Sequence, residues 1–161
     1  MNDLFKNSAD LLILLTLGIV YLFSFAKMKR IFFSKYGNSK NNALTILFLS
    51  SLLASAVNLI HISEGASDAI LFFLKGNDFP KAILYAVSFF AVSWLFSIVL
   101  FQFSFFIVSL LTKEDETDEL IKNNTEIAWL HAIILVSLTF VIAPAIVKIA
   151  VSFIPYPELP F

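Results

Sequence analysis

Four long apolar runs constrain the fold of this chain more than any other feature. They lie at 11–26, 43–63, 82–111 and 127–154, and the third contains no charged residue. A helix needs about 20 mostly apolar residues to cross a hydrocarbon core of about 30 Å. Within lipid, backbone polar groups must be satisfied inside their own segment, which favours helices over any open sheet or loop. The pattern therefore predicts an all-α, polytopic membrane protein with four transmembrane helices.

The composition indicates that a bilayer, rather than water, surrounds these runs. Hydrophobic residues make up 59% of the chain and charged residues 14%, against about 45–50% and about 25% in ordinary globular domains. A soluble chain this apolar would expose large apolar patches and aggregate. The net charge of −1 gives no attraction to nucleic acid. We therefore expect the lipid bilayer as the main partner and no nucleic acid.

Two of the three connections carry opposite charge. Segment 27–40 has five basic residues and no acid, whereas segment 113–126 has six acids and two lysines. In a four-helix topology both segments lie on one side, and together they hold seven of the eleven Lys and Arg residues. Basic segments stay in the cytoplasm, so we predict a bacterial inner-membrane protein with both termini on the outer side. The candidate residues for docking a soluble cytoplasmic protein are Lys27, Lys29, Arg30, Lys35, Lys40, Glu114, Asp115, Glu116, Asp118 and Glu119.

The third connection contains a short apolar stretch, 70–74, between Asp68 and Lys75. Five residues are too few to span a membrane. We expect a half-buried interfacial turn or a continuation of the second helix, and the alternative is a re-entrant pore segment.

The two halves of the chain align under a shift of 82 residues. The shift places Lys-Asn-Asn at 40–42 on Lys-Asn-Asn at 122–124, and each triplet directly precedes an apolar run. Helix one then overlays helix three, and helix two overlays helix four. Since each half has two helices, the pattern predicts two parallel two-helix repeats within a single domain, at about 8–63 and 82–155.

The triplets also indicate how the following helices begin. An asparagine before a helix accepts hydrogen bonds from its first backbone N–H groups, and we expect Asn42 and Asn124 to be these caps. Two tandem units, each with a helix, a charged loop, a Lys-x-Asn step and a second helix, resemble the bacterial membrane family called domain of unknown function 350. That family's step is usually Lys-Gly-Asn, and here Asn41 and Asn123 occupy the glycine position. The resemblance covers nearly the whole chain, once for each half, and it implies the topology. It implies no activity, because the family has none established.

Small and polar residues recur on single faces of the second, third and fourth predicted helices. Small side chains let helices approach closely in lipid, and hydroxyls can form hydrogen bonds across the contact. We interpret these stripes as packing faces, with a polar conduction path lined by Ser51, Ser55 and Asn58 as the alternative. The candidate residues for packing or for a polar path are Ser51, Ser55, Asn58, Ser93, Ser97, Ser104, Thr139 and Ala143.

The sequence shows no recognisable active site. The chain has no cysteine, its two histidines lie near opposite membrane faces, and its four glycines form no phosphate-binding loop. We therefore expect no enzyme activity, no cofactor and no metal. Nineteen phenylalanines exceed what four helices can bury among themselves, so we expect contact with copies of the chain or with other membrane subunits. The favoured function is a non-catalytic subunit of a bacterial inner-membrane assembly, and the alternative is an oligomeric channel or a membrane-perturbing effector, for example in phage defence.

Overall fold

Five helices make up nearly all of the described structure. The computed structural model describes residues 2–36, 41–112 and 115–154. Four of the helices are long and apolar enough to cross a membrane, which confirms the predicted all-α, multi-pass architecture. The helices are α1 (Asn2–Tyr36), α2 (Asn42–Lys75), α3 (Phe79–Thr112), α4 (Glu116–Ile121) and α5 (Thr125–Ser152).

The second helix extends well beyond its apolar run. It continues without a break to Lys75, so the connection to α3 is only the turn at 76–78. Ile70 and Leu74 are buried in the bundle as part of this helix. The predicted continuation of helix two is therefore confirmed, and the alternative of a re-entrant pore segment is wrong. Both α2 and α3 have 34 residues, a length of about 50 Å against a hydrocarbon core of about 30 Å.

The basic segment is helical rather than a loop. α1 runs on to Tyr36, the residue before Gly37, and no proline interrupts it. Lys40 and Glu114, two of the predicted docking residues, lie outside the described residues. Four others lie on the last turns of α1, where the charge pattern suggested a connecting segment: Lys27, Lys29, Arg30 and Lys35.

The central pair of helices, α2 and α5, lie side by side and run in the same direction. At one end of the bundle the Ala43 backbone N–H donates to Asn123 Oδ1, and further along Gly65 lies against Val147 and Val151. α3 packs against both central helices, and α1 packs against α2 and α3. We call the end that carries the connections at 37–40 and 113–124 the loop end, and the end at 76–78 the turn end.

Burial differs strongly between the four spanning helices. In an 18-residue apolar stretch of α2, 50% of the residues are buried, against 11% of the span Asn7–Ser24 in α1. The largest apolar cluster lies towards the turn end and includes Ile62, Phe89 and Ile146. α1 therefore lies at the edge of a core that α2, α3 and α5 form.

Candidate functional site: two polar contacts between the halves

Two asparagines join the halves of the chain at the loop end. Asn41 Oδ1 accepts from the Leu44 backbone N–H at 2.9 Å, while Asn41 Nδ2 donates to the Leu120 carbonyl oxygen at 2.8 Å. Asn123 Oδ1 in turn accepts from the Ala43 backbone N–H at 3.0 Å. These bonds satisfy backbone groups that helix ends leave without partners. We call this contact, formed by Asn41 and Asn123, the asparagine clasp.

The capping prediction is right for one half and wrong for the other. Asn124 caps α5 as expected, but Asn41 rather than Asn42 caps α2, because the Asn41 side chain also reaches α4. Asn123 has a φ of 67°, a left-handed conformation that glycine adopts readily and asparagine tolerates. Asn41 is extended, with a φ of −81°. The residue at the x position of the Lys-x-Asn step therefore has a different backbone conformation in each half.

A second polar contact lies near the middle of the helices. Asn58 Nδ2 donates to the Ser93 carbonyl oxygen at 2.9 Å and to Ser97 Oγ at 3.0 Å. Ser97 Oγ also lies 2.8 Å from Tyr21 Oη. Three helices, α1, α2 and α3, therefore meet at one serine hydroxyl. We call the four residues of this contact the mid-helix joint: Tyr21, Asn58, Ser93 and Ser97.

The mid-helix joint contains two buried polar atoms that have no partner in the described structure. They are Asn58 Oδ1 and Ser93 Oγ, on residues that are 1% and 0% exposed. An unpaired buried polar atom costs about 1–3 kcal/mol, whereas a hydrogen bond between membrane helices contributes about 0.6 kcal/mol on average. The joint is therefore better suited to selecting which helices pack together than to adding net stability.

His131 forms a third polar contact, between α5 and α3. Ser104 Oγ donates to the Phe101 carbonyl oxygen at 2.7 Å. A hydroxyl has one proton, so His131 Nε2 is the donor in its 2.9 Å contact with Ser104 Oγ. The Phe101 and Phe105 rings lie against the imidazole, with centroids 5.4 Å and 4.3 Å away. A serine and two aromatic rings around His131 fit a role in helix packing.

The predicted small-residue stripes face contacts between helices. Ser51 Oγ and Thr139 Oγ1 each donate to a carbonyl oxygen four residues earlier in their own helices. The Asn58 side chain donates both of its hydrogen bonds to α3. This favours helix packing over the alternative of a conduction path. Ser97 is half-buried, and the other seven candidates are buried: Ser51, Ser55, Asn58, Ser93, Ser104, Thr139 and Ala143.

Part of the acidic segment forms the short helix α4. Asp115 caps this helix through its side chain, and Asp118 is exposed. Glu119 accepts hydrogen bonds from Asn124 Nδ2 at 2.9 Å and Lys122 Nζ at 2.8 Å, and these bonds lower the pKa of its carboxyl. Asp115 and Glu119 therefore each have a local structural role at this helix.

Glu116 departs most from the predicted exposed docking surface. It is 5% exposed, and its burial, with repulsion from Asp115, raises the pKa of the Glu116 carboxyl to about 7. A large share of Glu116 is therefore uncharged near neutral pH. On the basic side Lys27 is exposed, and the side chains of the other four basic candidates lie outside the described residues.

A small cleft opens between α2, α3 and α4 at the loop end. Its volume of about 150 Å³ is below the roughly 300–1,000 Å³ of ligand pockets. Among the described residues, no three Cys, His, Asp or Glu side chains are grouped as metal ligands would be. The cleft is lined by Leu44, Phe101, Gln102, Phe105, Thr117, Leu120 and Ile121.

Two contacts escaped the sequence analysis. Tyr21 was missed, although a tyrosine hydroxyl inside an apolar span needs a hydrogen-bond partner, and that signal was available. The pairing of His131 with Ser104 was also missed. Both partners lie on other helices, and a single sequence does not show which helices are neighbours.

Comparison with known protein families gives a match. The model of a family described as Domain of Unknown Function (DUF350) matches residues 3–146 as one range, which includes α1 to α4 and most of α5. No curated protein and no solved structure matches the chain. The match confirms the resemblance that the Lys-x-Asn steps suggested.

Proposed function

We propose, from the premise that this chain belongs to the DUF350 family, that it is a non-catalytic four-helix integral membrane subunit of a bacterial inner-membrane assembly. The observation that carries the proposal is the exposure of α1, in which 11% of the span Asn7–Ser24 is buried. A helix at the edge of its own bundle leaves most of its surface free to contact another protein. The partners we propose are copies of the chain or other membrane subunits.

The loop end supplies the second part of the proposal, a cytoplasmic docking face. Asn41 follows the connection at 37–40 and forms a hydrogen bond with α4, so the basic turns of α1 and the acidic helix α4 share one end. Exposed ion pairs contribute only about 0–1 kcal/mol each, a weak reason for such segregated charge. Clustered charge raises the encounter rate with a charged partner, and salt screens the effect.

Cysteine labelling tests the orientation, because the chain has no native cysteine. We expect Asp118→Cys to react from the cytoplasm and Gly76→Cys from the outside, since both positions are exposed. Gly76 suits the test because it has an ordinary φ of −78° and because an added Cβ would make only ordinary van der Waals contacts, the nearest at 3.5 Å from the Phe73 carbonyl oxygen. If Gly76→Cys is labelled only from the cytoplasm, the predicted orientation is wrong.

Charge reversal tests the docking face. Replacing Lys27, Lys29 and Arg30 with Glu is expected to reduce cross-linking to soluble cytoplasmic proteins in membranes by several-fold. The matched control reverses three exposed lysines elsewhere on the chain and is expected to leave this cross-linking unchanged. Orientation is checked in both variants by labelling at position 118. If the triple variant is correctly oriented and cross-links to soluble proteins as much as the wild-type protein does, the docking proposal is wrong. The control lysines are Lys75, Lys81 and Lys148.

One observation favours the alternative of an oligomeric channel or membrane-perturbing effector. The mid-helix joint holds buried polar atoms, Asn58 Oδ1 and Ser93 Oγ, without partners in the described structure, and conduction paths also require polar atoms at this depth. A channel predicts an ion leak in proteoliposomes that Asn58→Leu reduces by at least several-fold. No leak from the wild-type protein supports the subunit role.

A further inference from the structure

The cleft between α2, α3 and α4 has an apolar floor. Leu44 and Leu120 are buried, at 1% and 2% exposure, and they belong to a cluster on which Phe101 and Phe105 pack. The cleft volume is about 150 Å³, and an engineered apolar cavity of about this volume holds one benzene molecule. The cleft is therefore too small for most small-molecule ligands, but it is large enough for one apolar side chain of a partner protein.

The rim of the cleft is exposed. Thr117, Leu120 and Ile121 are spaced three and four residues apart, so one face of α4 forms a wall of the cleft. Thr117 and Ile121 are exposed, as is Gln102, which lines the cleft from α3. α4 is not one of the four candidate membrane spans, and it lies at the loop end. A soluble segment can therefore reach the cleft from the side that the predicted topology assigns to the cytoplasm.

Acidic side chains flank this rim. Asp118 is exposed and lies three residues before Ile121, so the two are neighbours on the surface of α4. Segment 115–126 has five acids and one lysine, and that lysine is paired with Glu119 at 2.8 Å. Among the described residues, none of those that line the cleft is basic. The charge around the cleft therefore attracts a cationic segment.

Glu116 gives a separate reason to expect a cation at this place. It directly precedes Thr117 of the cleft wall, it is 5% exposed, and its Oε1 atom has no partner in the described structure. Burial, with repulsion from Asp115, raises the pKa of the Glu116 carboxyl. An ammonium or guanidinium group of a partner would favour the charged carboxylate and offset both effects.

We propose that this cleft docks a basic segment of a soluble protein, with one apolar side chain of that segment in the cleft and its lysines or arginines beside the acids of α4. An apolar anchor in a pocket supplies most of the affinity of many interfaces, whereas complementary charge supplies specificity and a faster encounter. The inference rests on the proposed docking face and deepens it, because it names the anchor point on this chain and the chemistry of the partner.

Peptide binding tests the chemistry of the partner. The probes are three fluorescent peptides: one has four lysines around a central phenylalanine, one has serine in place of the phenylalanine, and one has glutamates in place of the lysines. Fluorescence anisotropy measures binding to the full chain in phosphatidylcholine nanodiscs, with empty nanodiscs as background. We expect the first peptide to bind several-fold more tightly than either of the others. If it does not bind, or if either of the others binds equally well, the proposal is overturned.

Variants that fill the cleft test the location. Thr117→Phe and Gln102→Phe add a ring at exposed rim positions on two different helices, and each is expected to weaken binding of the first peptide several-fold. Ser88→Phe is the matched control, because it adds the same ring at an exposed position of α3 nearer the turn end. If both filled variants bind the peptide as tightly as the wild-type protein does, the cleft is not the anchor, as when lipid occupies it, and the proposal is overturned.

Charge reversal tests the acidic rim. Asp118→Lys is expected to weaken peptide binding several-fold, and more strongly at low salt because salt screens exposed charges. Asp68→Lys is the matched control, since it makes the same change in net charge at an exposed position of α2 outside the cleft. Equal effects of the two variants contradict a role of α4 in recognition. If Thr117→Phe abolishes peptide binding but cross-linking to soluble proteins persists undiminished, the cleft proposal is wrong and the docking face remains supported.

Discussion

Helices α1 and α3 correspond to each other under the 82-residue shift of the sequence, yet they meet different surroundings. Both are long and apolar enough to span a membrane, but 28% of an 18-residue apolar stretch of α3 is buried, against 11% of the span Asn7–Ser24 in α1. Where α3 has Ser93 and Ser104 at close contacts, α1 has Leu11 and Leu22 on its exposed surface. Hydropathy therefore predicts that a helix spans, whereas small residues indicate which helix enters the centre of the bundle.

The largest expected effect comes from exchanging residues between these two helices. Ser93→Leu forces bulk into a position that is 0% exposed and is expected to destabilise the protein by about 1–3 kcal/mol. The reciprocal change, Leu11→Ser, lies on an exposed surface and is expected to remain within about 0.5 kcal/mol. Denaturant titration in detergent measures both. Equal losses would show that the equivalent positions do not differ in packing.

The two halves also differ in the start of their second helices, and alanine variants sharpen that difference. Asn41→Ala removes the cap of α2 and the bond to the Leu120 carbonyl, so we expect a loss of about 1–2 kcal/mol. Asn42→Ala is the matched control, because Asn42 is an exposed first-turn residue, and we expect a change within about 0.5 kcal/mol. The same titration measures both. A larger loss at Asn42 would restore the cap that the sequence favoured.

Glycines provide the next comparison, with effects of opposite sign. A Cβ on Gly65 would lie 2.9 Å from a Val151 methyl and 3.0 Å from the Phe89 ring, whereas Gly18 on α1 has no such neighbour within 4 Å. Gly65→Ala is expected to cost about 1 kcal/mol through overpacking. Gly18→Ala is expected to gain up to about 1 kcal/mol from helix propensity. A gain at both positions would mean that the contact of α2 with α5 and α3 is looser than the structure shows.

The sequence predicted the spans well because their signal is local. A few neighbouring residues are enough to recognise each of these features: the apolar runs, the acidic and basic segments, and the Asn124 cap. The end of α2 was harder, because Glu64 and Asp68 interrupt the apolar run. Both side chains are exposed, so the helix continues past them while its other face remains buried.

The polar contacts were less predictable because each depends on a distant partner. Asn41 and Asn42 have the same capping chemistry, and the choice between them follows from a bond to Leu120, 79 residues later. Asn58 was named as a candidate for helix packing or for a polar path, but a single sequence does not show which helix it contacts. The capping prediction for α2 failed for this reason.

The smallest expected effect concerns the attachment of α1 to α3. Tyr21→Phe removes the hydroxyl that lies 2.8 Å from Ser97 Oγ and leaves the ring in place. We expect a loss of about 0.6 kcal/mol, the average for a hydrogen bond between membrane helices. Detergent titration measures this loss.

A double-mutant cycle separates this bond from the rest of the mid-helix joint. Ser97→Ala is expected to cost more than Tyr21→Phe, because Ser97 Oγ also accepts from Asn58 Nδ2 at 3.0 Å. Residues in contact give a non-additive double variant, so Tyr21→Phe should cost less when Ser97 is already alanine. Full additivity would mean that the bond does not form in the membrane. The edge position of α1 would then rest on apolar packing alone, and α1 would differ from α3 even more than the structure indicates.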